Sequence, residues 1–470
     1  MRNIFFLGIG GIGMSAIARY YKYEGYNVAG YDKTPSELTS KLEQEGIDIH
    51  YEDDINNIPQ EYKSKDTFVI YTPAIPSDNK EFLYFLQNGN NPIKRSAVLG
   101  LIAKNKKVLA VAGTHGKTTT SMLLAHLMTQ AADGCTAFLG GISKNYETNL
   151  LLSKNQWMVA EADEYDRSFL QLFPHIAIIT ASDADHLDIY GTEAEMKKSF
   201  GDFASQIEKD GILILKKGVE IPLNKVVCKI YSYSYNNTDA DFYAFNIEAK
   251  NGIFTFDIHT PMGDICNCTL NLPGWVNIEN AVAATAAALL SEITGKATTL
   301  SRVELNMASE LFGVVDKNIS SALASFLGVK RRFDIKLNNE KHVYIDDYAH
   351  HPEELTAAIT SIRQMFPNRK MTGVFQPHLY TRTRDFADGF GKALSLLDEL
   401  ILLDIYPARE LPIEGVTSQI IFDKVSIENK KLCTKDELVD ILKQQNIDVL
   451  VTLGAGDIDR FVEPITELLK

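Results

Sequence analysis

The chain has 470 residues, 45% of them hydrophobic and 23% charged, and carries a formal net charge of −14 from 47 basic and 61 acidic residues. That length makes about three domains at roughly 100 to 200 residues each, and the acidic balance argues against nucleic acid as a partner while leaving small anionic ligands open, since local Lys, Arg and helix dipoles act against the global charge. No apolar run approaches the roughly 18 residues of a membrane span, and the opening apolar run, broken at once by glycines, lacks a secretory pattern, so a cytoplasmic protein without membrane insertion is expected.

The first element is a strand, Arg2 to Leu7, running into Gly8-Ile9-Gly10-Gly11-Ile12-Gly13-Met14-Ser15 and an apolar helix start at Ala16. A second strand, Tyr26 to Tyr31, precedes Asp32. A glycine turn between strand and helix, with an acid about twenty residues on, is the dinucleotide fingerprint. Taken alone it points to nicotinamide binding. Strand Thr67 to Tyr71 ends in Thr72-Pro73-Ala74-Ile75, at the edge where an open parallel sheet takes its ligands. After a break at Pro92 and the pair Arg95-Ser96, a first domain over residues 1–107 closes at Lys107.

The organising stretch follows. Strand Val108 to Ala112 meets Gly113-Thr114-His115-Gly116-Lys117-Thr118-Thr119, and Leu123, Leu124, Leu127 and Met128 then recur with helical spacing. In such a loop, backbone N–H groups surround phosphate oxygens, Lys117 reaches the β/γ-phosphates of ATP and Thr118 offers its hydroxyl to Mg²⁺. Val111 stands where a plain Walker A pattern has its first glycine, so this is a shorter form. Strand Trp157 to Ala160 ends in Glu161-Ala162-Asp163-Glu164, and an acid at a strand end beside a phosphate loop is where Mg²⁺ is held. Glu161 fits that role, with Glu164 and Asp166 read as acids solvating a turn. Strand Ile176 to Thr180 leads to Asp185-His186-Leu187-Asp188.

From Gly211 to Gly274 alternating strands with hairpin signals at Asn251-Gly252 and Met262-Gly263-Asp264 predict an antiparallel wing. The five scattered cysteines read as reduced thiols. Cys266 and Cys268 fall on one face of a strand, without the second ligand pair that a zinc site needs. Asn277 opens an alanine-rich helix through Leu290, and the central domain, residues 108–328, ends at Gly328.

The third domain, residues 329–470, begins with Lys330-Arg331-Arg332-Phe333-Asp334. Strand His342 to Ile345 is followed by Asp346-Asp347-Tyr348-Ala349-His350-His351-Pro352-Glu353-Glu354, with Pro352 at the first position of a helix. Strand Thr372 to Phe375 ends in Gln376-Pro377-His378-Leu379-Tyr380-Thr381-Arg382-Thr383-Arg384. Strands Leu400 to Ile405 and Asp448 to Leu453 lead into Tyr406-Pro407-Ala408-Arg409-Glu410 and Gly454-Ala455-Gly456-Asp457, again on the ligand side of a parallel sheet.

The Gly-Thr-x-Gly-Lys-Thr-Thr loop, the Asp-His-x-Asp-x-Tyr block at 185–190 and the Asp-Asp-Tyr-x-His-His-Pro-x-Glu block at 346–354 together resemble the Mur ligase family over essentially the whole chain. The resemblance implies an α/β fold of three domains: an N-terminal Rossmann-like UDP-binding sheet, a central P-loop ATPase-type domain with an antiparallel β wing, and a C-terminal Rossmann-like domain. It implies an ATP-dependent amide ligase of peptidoglycan precursor synthesis that works through an acyl phosphate, as a monomer or homodimer. UDP-N-acetylmuramate and L-alanine are the implied partners, with ATP and two Mg²⁺ ions as cofactors.

Carried onto this sequence, the resemblance assigns the UDP-sugar to Gly8, Gly10, Gly11, Ile12, Gly13, Met14, Ser15, Asp32, Thr72 and Arg95. ATP goes to Gly113, Thr114, His115, Gly116, Lys117, Thr118 and Thr119, with Asn277, Asn280, Arg332 and Asp347. Lys117, Glu161 and His186 are the implied catalytic residues, and Thr118, Glu161 and His186 the metal ligands. Tyr348, His350, His378, Arg382 and Arg384 face the amino acid and the muramyl group. Ala97, Trp275-Val276 and Leu379 depart from the family pattern, which has Glu, Arg-His and Arg there. Three other readings stay open: a ligase that joins an intact tripeptide to the same sugar, a nicotinamide oxidoreductase built on the first glycine turn, and a nucleotide-binding regulator without catalysis.

Overall fold

The structure, a computed structural model, describes residues 2–183, 187–250, 253–297, 318–408 and 410–470. Three sheets carry the fold. The first has five strands, β1 (Asn3–Leu7), β2 (Asn27–Tyr31), β3 (Asp48–His50), β4 (Phe68–Tyr71) and β5 (Ile93–Lys94), in the order β3-β2-β1-β4-β5. All its pairings are parallel. Strands of a sheet covered on both faces read as continuous apolar runs, and β1 shows why: Ile4 and Phe6 enter one core while Phe5 and Leu7 enter another with Tyr62 and Phe85.

The second sheet has ten strands: β6 (Lys107–Ala112), β7 (Thr136–Phe138), β8 (Leu150–Leu151), β9 (Trp157–Glu161), β10 (Ile176–Ile179), β11 (Ile212–Lys216), β12 (Lys229–Ser234), β13 (Phe242–Lys250), β14 (Ile253–His259) and β15 (Ile265–Leu270). Their order is β15-β14-β13-β12-β11-β10-β6-β9-β7-β8. Strand β6 lies between β10 and β9, parallel to both, with Ala112 opposite Ile179 and Val111 opposite Glu161. The loops leaving these three strands therefore meet at one edge, the switch point where such sheets bind ligands.

The wing is smaller than the alternation predicts. Strands β11 and β12 continue the parallel order, and β12 is parallel to β13. Only from β13 to β14 and from β14 to β15, neighbours in the sheet, are the connections too short for anything but antiparallel hairpins. The expectation that Cys266 and Cys268 share a face also fails: Cys266 is exposed and Cys268 buried. Asn267 between them has φ +59°, which breaks the two-residue alternation, and its N–H is taken by Asp257 at 2.8 Å.

The third sheet has six strands, β16 (Asp334–Asn338), β17 (Val343–Asp347), β18 (Met371–Phe375), β19 (Glu399–Leu402), β20 (Lys430–Leu432) and β21 (Val449–Leu453), ordered β16-β17-β21-β18-β19-β20. Only β16 is antiparallel to its neighbour. Val343 and Ile345 bury on one face and Tyr344 on the other. Strand β17 reaches Asp347, so the strand expected to end at Ile345 includes both aspartates.

The chain divides into two compact units, one of Met1–Glu248, Thr255–Leu270 and Ile278–Phe326, the other of Ala249–Phe254, Asn271–Asn277 and Leu327–Lys470. The first two sheets share the first unit and a continuous apolar core, in which Val98 and Leu99 join Phe169, Leu172 and Phe203. Among the described residues no helix is long and apolar enough to cross a membrane.

Candidate active site

In the first unit, the glycine turn after β1 is held by backbone bonds from Gly8 and Ile9 to Tyr31 O at 2.8 and 3.0 Å. Asp32 Oδ2 accepts from Gly10 N at 2.7 Å and Oδ1 from Thr34 N at 3.2 Å, so both its oxygens serve the turn. A Cβ on Gly13 would fall 2.7 Å from Arg95 Nη1, and one on Gly8 2.4 Å from Thr72 Cγ2. The structure thus gathers Gly8, Gly10, Gly13, Asp32, Thr72 and Arg95 at one place, beside Gly11 and Ile12. Met14 and Ser15 point elsewhere: Met14 is in the core, and the buried Ser15 hydroxyl donates to Ile12 O at 2.9 Å and accepts from Asn149 Nδ2 at 2.9 Å. Arg95 also faces Asp163 at 3.6 Å, linking this turn to the loop after β9.

The phosphate loop lies between β6 and the helix Lys117–Ala131. Gly116, with φ +79°, caps that helix without a side-chain bond. Gly113 has φ +130°, and a Cβ there would meet Thr180 Oγ1 at 2.2 Å and Ala181 N at 2.7 Å. Thr114 N donates to Ala181 O at 3.3 Å, its hydroxyl accepts from Asp183 N at 3.2 Å, and His115 Nε2 lies 3.9 Å from Asp183 Oδ2. The loop is therefore laced to the end of β10. Overpacking and strain at Gly113 predict that Gly113→Ala loses about 1–3 kcal/mol of stability and binds a non-hydrolysable ATP analogue about tenfold more weakly. Calorimetric titration and a thermal melt check this, and unchanged affinity would contradict it.

Lys117 does not extend outward. Its Nζ donates to Gly113 O at 2.6 Å and pairs with both Glu164 oxygens at 2.9 Å. The Glu164 side chain is only 1% exposed, so it is no turn solvator. Burial pushes its carboxyl up to about 7, against the pull of the Lys117 ammonium. Burial draws Lys117 down, but Glu164, Asp163 and Glu161 together hold it above its ordinary value. Glu164 is the residue that sequence reasoning missed; the signal was a phosphate-loop lysine needing a counter-ion and an acid one turn past Glu161.

Thr118 Oγ1 donates to Glu161 Oε1 at 3.2 Å, and a Cβ on Gly140 would fall 2.2 Å from Glu161 Oε2. A hydroxyl and a carboxylate converging in a space kept open by a glycine are a hard-oxygen donor set that fits Mg²⁺. Thr119 is half-buried beside them. His186, the other expected metal ligand, lies outside the described residues, as does Asp185. Asn280 is buried against the loop, its Oδ1 accepting from Thr120 Oγ1 at 3.1 Å.

In the second unit, Asn277 Nδ2 donates to Pro273 O at 2.6 Å within its own turn. Asp347 accepts from Phe333 N at 2.6 Å and Ala349 N at 2.7 Å, and burial pushes its carboxyl up to about 6 despite the Arg332 guanidinium. Arg332 lies 4.9 Å from the Tyr348 ring. Tyr348 meets His350 edge-on at 5.3 Å, and His350 meets His378 at 5.8 Å. Arg382 Nη1 is 3.5 Å from His378 Nδ1. These five residues form one polar edge, whereas Arg384 is exposed and bonded to its neighbour Asp385 at 2.7 Å.

Three family models match the chain: "Mur ligase family, catalytic domain" over residues 3–107, "Mur ligase middle domain" over 111–288 and "Mur ligase, glutamate ligase domain" over 331–456. The chain is 50% identical over 475 residues to a UDP-N-acetylmuramate--L-alanine ligase of Phocaeicola vulgatus, covering 100% of this chain and 98% of that protein. It is 51% identical over 469 residues to the enzyme of that name from Parabacteroides distasonis, covering 99% and 97%. Among solved structures it is similar to the UDP-N-acetylmuramate-alanine ligase of Thermotoga maritima, with TM-score 0.80, 26% identity and 99% of each chain covered. A murein peptide ligase from Psychrobacter arcticus shares the fold, with TM-score 0.71 at 20% identity, covering 100% of this chain and 99% of that one. With three matched models along its length and relatives of this identity over its full extent, the chain belongs to the Mur ligase family.

Proposed function

We propose that this chain joins L-alanine to the lactyl carboxylate of UDP-N-acetylmuramate with ATP, in the cytoplasm, as the first amino-acid addition in making peptidoglycan precursor. The observation that carries the reading is the edge at Gly113–Thr118, Glu161 and Glu164, where a phosphate loop, a hydroxyl and carboxylates meet. A carboxylate and an amine do not condense in water, because the amine would attack a stabilised anion and expel oxide. Transfer of the γ-phosphate makes phosphate the leaving group, and the acyl phosphate is then captured by the amine. Mg²⁺, at one ion or two, would offset charge on the transferred group.

In this reading residues 1–107 hold the UDP-sugar, 108–328 the ATP and 329–470 the amino acid. Gly8 to Gly13 and Arg95 hold the diphosphate of the sugar nucleotide, with Thr72 at the rim. Lys117 leaves Glu164 to neutralise the β/γ-phosphates, and Thr118 and Glu161 hold the metal, with His186 as a further ligand. Arg332 and Asp347 contact the nucleotide, while His378 and Arg382 orient the amine and carboxylate of L-alanine.

Release of phosphate should require UDP-N-acetylmuramate, ATP, Mg²⁺ and L-alanine together. Release that ignores the amino acid would reject the ligase, and a tripeptide outperforming L-alanine would favour the ligase that joins intact peptides. Reduction of a nicotinamide by any substrate would revive the oxidoreductase, and binding without turnover the regulator.

A further inference from the structure

Tyr406 and Glu410, which follow β19, have no assigned substrate role, yet they are tied to the two groups that orient the amino acid in the reading above. Tyr406 N donates to Pro377 O at 2.8 Å and Leu379 N donates to Tyr406 O at 3.0 Å, so the backbone on either side of His378 is clamped to Tyr406. The Tyr406 ring stacks on the His378 imidazole, centroids 5.8 Å apart and planes 21° apart. The root of the Tyr406 side chain also packs where Gly456 leaves room, since a Cβ there would fall 2.7 Å from Tyr406 Cβ and 2.8 Å from its Cγ. The ring is thus fixed by its own neighbours.

Glu410 acts on the second group. The helix Tyr380–Asp385, which carries Arg382, starts at Leu379, a residue with φ +71° that supplies no side-chain cap. Such a helix start leaves N–H groups without partners, and here Thr381 N donates to Glu410 Oε2 at 3.0 Å, with the Thr381 hydroxyl bonded to Glu410 Oε1. The cap arrives from outside the helix and sets where Arg382 stands.

We propose that Tyr406 and Glu410 are positioning residues for L-alanine, Tyr406 by fixing the His378 ring and Glu410 by fixing the start of the helix that carries Arg382. This rests on the ligase reading above. Displacing an orienting group by a fraction of an ångström slows a reaction far more than the strength of any single stacking or capping interaction would suggest.

The test is steady-state phosphate release by the full chain with each substrate varied in turn. Tyr406→Ala should raise the KM for L-alanine about tenfold or more, while the KM values for ATP and the UDP-sugar stay within about twofold. Tyr406→Phe, which keeps the ring, should restore the L-alanine KM to near the unmutated value. Glu410→Ala should raise the same KM, and Glu410→Gln, whose amide oxygen still accepts one bond, should raise it less. If Tyr406→Ala unfolds the domain, Tyr406→Leu, apolar but with no ring to stack, replaces it. An unchanged L-alanine KM, or a rise in all three KM values together, overturns the inference. Absence of L-alanine dependence in the unmutated chain overturns the ligase reading and this inference with it, so the two failures are told apart by which protein shows them.

Discussion

Lys117→Met is expected to reduce turnover by at least about a hundredfold, the scale of losing one preorganised charge at the transferred group, and to cost about 3–5 kcal/mol of stability near pH 8, the scale of orphaning a buried ionic partner. Both effects come from one ammonium. Its Nζ donates to Gly113 O at 2.6 Å and to Glu164 Oε1 at 2.9 Å, with Glu164 Oε2 also 2.9 Å away, and the Glu164 side chain is 1% exposed. Without the lysine the carboxylate has lost its cation, and it will take a proton instead.

The sign of the pH dependence follows. The carboxyl already titrates at about 7 when folded, above its ordinary 4.5. A folded value above the unfolded one contributes stability that is complete below about pH 4.5 and is lost as pH rises through the folded value. Removing Lys117 raises the folded value further, so the deficit of Lys117→Met should be small near pH 4.5 and grow through and above pH 7. Thermal melts across that range check it, and a deficit that does not vary with pH would contradict the pairing. The second substitution Glu164→Gln, added to Lys117→Met, should recover part of the loss at about pH 8 without restoring turnover. Binding of the UDP-sugar should stay near normal, because Gly8, Gly13, Thr72 and Arg95 do not depend on Lys117.

Arg331→Met is the second large effect, this time on the second unit. Arg331 Nε faces Asp346 Oδ2 at 3.2 Å, Nη2 donates to Gly454 O at 2.7 Å, and Nη1 lies 3.5 Å from Asp459. Asp346 is completely buried and otherwise accepts from Thr452 Oγ1 at 2.8 Å. Burial holds its carboxyl above the ordinary value even with Arg331 pulling it down. Orphaning this carboxylate should cost about 3–5 kcal/mol, which at roughly 2–4 °C per kcal/mol lowers the melting temperature by about 6–20 °C. Asp346→Asn in the same chain should return much of it. A melt unchanged by Arg331→Met would show that Asp346 is held by Thr452 alone.

What the sequence disclosed was local. Strand, loop and helix follow one another at Val108–Met128, so hydrophobic period and glycine spacing suffice to place Lys117 and Thr118. Glu164 depends on where the loop after β9 turns back, which no local pattern records, and its charge made it look like surface. Asp32 is a similar case: its spacing from the glycine turn marks it out, but not that its two oxygens accept from Gly10 N and Thr34 N and so hold the turn itself. The cysteine pair escapes the alternation rule because that rule assumes extended backbone, and Asn267 leaves it. Parallel pairing of β11 with β12 was hidden because a strand's own residues do not say which way its neighbour runs. Arg331, next to the flagged Arg332, could not be told apart from it by type, and only the buried Asp346 separates their roles.

The core shared by the first two sheets bears on how the chain could be cut. A fragment stopping at Lys107 would lose Phe169, Leu172 and Phe203 from the core that its Val98, Leu99 and Ala103 share with them, baring apolar surface to water. Newly bared apolar area of that kind favours aggregation. The motif boundary at Lys107 therefore does not mark a place for an expression scientist to truncate, and residues 1–107 are best produced together with the phosphate-loop region that follows them.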